Sequence, residues 1–157
     1  MKKIIAIMAA VLVCVAASAQ DSRSIYNKYS DKPGVSAVFI SNAMFRMIGR
    51  IPDIDLGNGD VNLAPIIKSL KGLYILNIDR NPALGATLKA DTEKHVKVGR
   101  YEMLMEVKDD GETVRIYTVN KGDIITDFVM IASEADETTF ISFEGEIPQN
   151  ALEALLQ

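Results

Sequence analysis

Between Tyr101 and Glu144 apolar and polar residues alternate in runs broken by short turn signals, and that pattern constrains this chain more than any other feature. Tyr101, Met103, Met105 and Val107 interleave with Glu102, Glu106 and Lys108. Asp110-Gly111 then supplies a hairpin turn, and Thr113 to Val119 resumes the alternation. Asn120-Lys121-Gly122-Asp123 and Glu134 to Glu137 are two further turns, bracketing Ile125 to Ser133, after which Thr138 to Glu144 makes a fourth strand. Four strands joined by three short turns can only be an antiparallel meander. The third strand is apolar on both sides, with Phe128 and Met130 on one and Val129 and Ile131 on the other, so it is predicted to be central.

The preceding residues supply the other layer. Ile25, Tyr26 and Tyr29 lie at helical spacing before Pro33-Gly34, which predicts a short packed helix or a mobile arm over residues 20–34. Val35 to Ile40 reads as a strand, followed without a loop by a helix capped by Ser41 and carrying Met44, Phe45, Met47 and Ile48. Ile51 to Asp60 is a loop, Leu63 to Leu70 a short helix, Leu73 to Ile78 a buried strand, and Pro82 to Val98 a helix with a mostly solvated face. Pro148 is expected to open a terminal helix with Leu152, Leu155 and Leu156 inside. The fold class that accommodates all of this is α+β, an antiparallel meander sheet with helices packed mainly on one face.

The start of the chain is of a different kind. Lys2 and Lys3, an apolar run from Ile4 to Ala17, and Ala17-Ser18-Ala19 before Gln20 form an export signal over residues 1–19, with cleavage after Ala19. The run is too short for a membrane span, so the mature chain is expected to have none. Acylation of Cys14 is the rival reading, but Val13 stands where that signal takes a small residue. Cys14 is the only cysteine, so a processed chain holds no thiol and loses cysteine nucleophiles, redox pairs and thiolate metal sites together. The remaining residues 20–157 are read as a single domain.

Composition enters through charge. The chain has 17 Lys and Arg against 21 Asp and Glu, a net charge of −4, which excludes a nucleic-acid binder that neutralises phosphates. The asymmetry is in the last third, where residues 101–157 hold 13 acidic and 3 basic side chains. That is either offset by contact with the mildly basic earlier part or presented as an acidic face to a basic partner or a cation.

Few residue sets point to chemistry. His95, the only histidine, sits between Lys94 and Lys97 with no legible serine or acid partner, and is read as a solvated helix-end residue. Asp53, Asp55 and Asp60 alternate on a glycine-containing loop and are the best candidate metal ligands. The register is wrong for the standard calcium loop, with Asn58 where the turn glycine belongs and Ala64 where the bidentate glutamate belongs, so a polar turn competes with that reading. Gly57-Asn58-Gly59 lacks the third glycine and the lysine of phosphate-binding loops, and no cofactor motif is present. Met44, Met47, Met103, Met105 and Met130 are assigned to hydrophobic filling over soft-metal ligation. Leu104, Tyr117, Val119 and Phe140 are a candidate exposed apolar strip on the sheet, unless another element covers them.

Several segments together are familiar. Val35-Ser36-Ala37-Val38-Phe39-Ile40-Ser41 running into Met44-Phe45, Leu70-Lys71-Gly72-Leu73, Leu104 to Gly111, and Ile141 to Ile147 before a final helix resemble the DUF4252 family over roughly residues 35–157. The resemblance implies a small exported protein or lipoprotein of Gram-negative bacteria, with a compact α+β fold and no assigned activity. It supplies no catalytic residue. The leading expectation is therefore a non-enzymatic, periplasmic protein that binds a protein partner of the cell envelope through its sheet face or edge. A small-ligand or cation binder using the Asp53–Asp60 loop, and a hydrolase with an unrecognised carboxylate site, are the alternatives.

Overall fold

A computed structural model of the chain describes residues 21–48 and 64–150. The elements are α1 (Ser22–Tyr29), β1 (Val35–Ser41), α2 (Asn42–Ile48), α3 (Ala64–Ser69), β2 (Leu70–Asp79), α4 (Pro82–Val98), β3 (Glu102–Asp109), β4 (Glu112–Lys121), β5 (Ile124–Ser133) and β6 (Glu137–Pro148). All six strands form one sheet in the order β1-β2-β6-β5-β4-β3, and every pairing is antiparallel. The fold is α+β, and the meander predicted from alternation is β3 to β6. Its third strand, β5, is interior as expected, with β6 beside it at the middle of the sheet.

Local signals explain most boundaries. Asp110 and Gly111 take φ of 41° and 93°, the left-handed pair that a two-residue hairpin needs. Asn81 caps α4 by accepting from the Leu84 N–H, Pro82 opens it, and the Gly99 N–H closes it on the His95 carbonyl. The Ser41 hydroxyl receives the Met44 N–H at 3.4 Å, so β1 passes directly into α2. Residues 22–29 are a packed helix, with Ser22, Ile25 and Tyr29 turned inward and Asp21 as its cap.

One face of the sheet makes the core. Tyr74, Leu76 and Ile78 of β2, Phe140 of β6, Val129 and Ile131 of β5 and Tyr117 of β4 meet Ile25 and Tyr29 of α1 and Leu88 and Val96 of α4. Burial of such side chains contributes roughly 1.5–3 kcal/mol each. The approach of α4 to the sheet is close at Gly85, where a Cβ would run into the Thr138 side chain. At the far end of α1 the Tyr29 hydroxyl donates to Asp91 of α4 at 2.6 Å, and Lys28 reaches the same carboxylate. Burial alone would raise the Asp91 carboxyl, but those two donors outweigh it and hold it below its usual value.

Three expectations are corrected. β6 runs on past its predicted end at Glu144 to Pro148, because a register shift beyond Asp127–Glu144 lets Ile147 pair with Ile125 and bury, and Gln149 and Asn150 after it are helical, as expected of a helix opened by Pro148. The predicted terminal helix residues Leu152, Leu155 and Leu156 lie outside the described residues. His95 is buried on the inner stripe of α4 with Leu88 and Thr92 instead of being solvated. Met44, Met47, Met103 and Met105 are exposed and fill no core, while Met130 is half-buried.

Candidate interaction surface

Two polar groupings compete with the sheet surfaces as a site. In the first, His95 Nε2 lies 3.2 Å from the Tyr101 hydroxyl and 3.4 Å from Ser22 Oγ. A serine beside a histidine invites a nucleophile reading, but Ser22 and His95 are both buried and the Tyr101 ring packs tilted on the imidazole. No substrate carbonyl can reach Ser22 Oγ there, so the trio ties the start of α1 to the end of α4. Burial, reinforced by the carboxylates of Asp127, Glu144 and Asp21, pushes the Tyr101 phenol up to about 12, so it remains a neutral donor.

In the second grouping Asp127 of β5 and Glu144 of β6 are direct cross-strand partners. They line a cleft of about 440 Å³ together with Lys71, Val119, Lys121 and Glu146. Burial first, then the charges of Asp127 and Asp21, raise the Glu144 carboxyl above its usual value. Because the folded-state pKa is raised, the ionised form weakens the fold above that pKa, and the penalty fades as pH falls and Glu144 takes up its proton. Glu144→Gln should therefore gain about 0.2–1 kcal/mol at neutral pH. The gain should vanish in acid, and chemical denaturation at both pH values checks it. Among the described residues no group of three or more His, Cys, Asp or Glu side chains is placed to hold a metal ion.

The surfaces are more distinctive. Among the described residues β3 is an edge strand, paired only with β4, and all eight of its residues are exposed. Met103, Leu104, Met105 and Val107 are each 44–53% exposed, an apolar content unusual for an unprotected edge. A register shift at Leu104 interrupts the ladder, pairing Met103 with Tyr117 but Met105 with Ile116. That puts Met103 and Met105 on opposite faces. Arg115 of β4 braces the edge, donating to Glu106 of β3 at 2.6 Å and to Glu93 of α4 at 2.7 Å.

The second surface is the sheet face turned away from α1 and α4. Cross-strand register places Val38, Ile75, Ile141, Met130, Ile116 and Met105 in one row that crosses all six strands. Beside it Ile40, Leu73, Phe143 and Phe128 form a second apolar row, with the last two rings stacked 4.5 Å apart. Val38 and Met105 are exposed and the rest of these residues half-buried.

The sequence-predicted strip divides between environments. Leu104 is exposed on the β3 edge, and Val119 is half-buried at the cleft. Tyr117 and Phe140 belong to the core under α4, so the four do not make one exposed strip. The apolar surface that the sheet does present is carried by residues the sequence reading assigned to packing. Their register was legible only once the full strand order was known. Asp53, Asp55 and Asp60 lie outside the described residues.

Comparison with known proteins adds one match. A family model described as a domain of unknown function (DUF4252) covers residues 29–155. No curated protein and no solved structure matches the chain. No described helix is long and apolar enough to cross a membrane.

Proposed function

The chain belongs to the DUF4252 family, and from that premise we propose that it is an exported cell-envelope protein that binds a protein partner by adding an extended segment of that partner to the free edge of β3. The observation that carries this reading is the exposure of every residue of Glu102–Asp109, with four large apolar side chains on a strand whose outer backbone groups have no neighbour among the described strands. Strand addition draws affinity from main-chain hydrogen bonds and specificity from alternate side chains, and both are on offer here. The acidic excess of residues 101–157 favours a partner segment with basic flanks. Lys2, Lys3 and the apolar run ending at Ala17-Ser18-Ala19 support export, with the periplasm as the proposed destination.

Cross-linking in intact cells, followed by mass spectrometry of the purified envelope fraction, tests both parts of the proposal. The expected result is a chain beginning at Gln20, cross-linked through β3 to one reproducible protein. Met103→Lys/Leu104→Lys, which alters only exposed side chains, should lower that yield about tenfold. A partner retained in full by this variant, or no reproducible neighbour, would overturn the edge reading. A lipidated Cys14 would overturn cleavage at Ala19.

A further inference from the structure

We infer that the apolar sheet face opposite α1 and α4 is where a second copy of this chain docks, forming a two-fold sandwich of two six-stranded sheets. This inference rests on the face, whose apolar rows share only Met105 with the β3 edge. The first argument is chemical. The two central rows carry Ile75, Ile141, Met130, Ile116, Phe128 and Phe143 with no ionisable side chain until Glu102 at one corner. Asp79 and Glu137, paired across β2 and β6, stand at the rim. Apolar centre and polar rim is the anatomy of a protein interface. In a chain with net charge −4 it is also the surface on which two identical copies meet with least repulsion.

The second argument is size and shape. Six strands about 4.8 Å apart and three side-chain rows deep project on the order of 500 Å² before side-chain relief is counted. Stable interfaces take roughly 600–1,000 Å² of accessible surface per partner, so the face is of the right order for a dimer. Sheets packed face to face lie about 10 Å apart with interdigitated side chains, which the long row from Val38 to Met105 can supply from both copies. A two-fold axis through the centre of the face sets the same rows against each other, as an isologous contact requires.

Sedimentation equilibrium of the full chain, with Met130→Lys and Val38→Lys variants, tests the proposal. Met130 sits at the middle of the face. Val38 is exposed, so its lysine variant keeps the fold intact should the central charge disturb it. The expected result is a dimer in the micromolar range whose dissociation constant rises about tenfold or more in each variant while circular dichroism is unchanged. The edge variant Met103→Lys/Leu104→Lys should leave the dimer intact, which separates this inference from the partner-binding reading. A monomer at all concentrations overturns the proposal, whether the face is covered by another segment of the chain or binds phosphatidylethanolamine/phosphatidylglycerol vesicles instead. A dimer indifferent to both face variants overturns it too.

Discussion

Replacing Phe140 with alanine should lower the unfolding free energy by about 3–5 kcal/mol, measured by urea denaturation. The ring is fully buried on β6, flanked across the ladder by Leu76 of β2 and Ile131 of β5 and covered from the helix side of the core. Deleting it removes the transfer free energy of a large side chain and leaves a cavity that the close-packed core closes only in part. A loss below about 1 kcal/mol would mean that the ring is solvated in the native state. The exposed strip expected from alternation would then regain its standing. Leu104→Ala, on the exposed edge, should change stability by no more than about 0.5 kcal/mol in the same assay.

Gly85→Ala should also destabilise, by about 1–3 kcal/mol, against the ordinary preference of helices for alanine. In a free helix the change gains roughly 1 kcal/mol. Here the new Cβ collides with the Thr138 hydroxyl and lies 3.1 Å from the Thr138 Cβ, so α4 or β6 must move. The diagnostic is a sign reversal. In a Thr138→Ala background the same glycine substitution should become neutral or stabilising, and the double-mutant cycle reads the coupling directly. Stabilisation by Gly85→Ala alone would show that α4 stands further from the sheet.

Much of the fold was legible because short-range chemistry decides it. Asp110-Gly111 fixed one hairpin, Pro82 marked the start of α4, and alternation marked the strands. The failures share a cause, in that parity along a strand is local whereas which face is covered is not. The register shift at Leu104 turns Met103 and Met105 to opposite sides, although their spacing places them on one stripe. At Glu144-Gly145-Glu146 a second irregularity breaks the alternation, so the pattern predicts an end to β6 four residues early. The lysine neighbours of His95 suggest solvent, yet Leu88, Thr92 and His95 recur at helical spacing, and that stripe carries the signal of its burial.

The candidate surfaces were less legible than the fold. An edge strand looks like any other until the strand order is known, and β3 is an edge only because β6 pairs with β2. The apolar row from Val38 to Met105 draws one residue from each of six strands, so no window of sequence contains it.

The place of β6 also governs when the molecule can form. It is the last of the described strands to leave the ribosome, yet it lies between β2 and β5 and joins the early hairpin to the late one. Until it arrives, β1–β2 and β3–β5 are two unconnected ribbons, each with a raw inner edge and half a core. Protease protection of stalled nascent chains should therefore appear abruptly once Pro148 has cleared the exit tunnel, with no stable product at any earlier length. Up to that length neither ribbon has a closed core, the condition in which a polypeptide can still be threaded through a membrane pore.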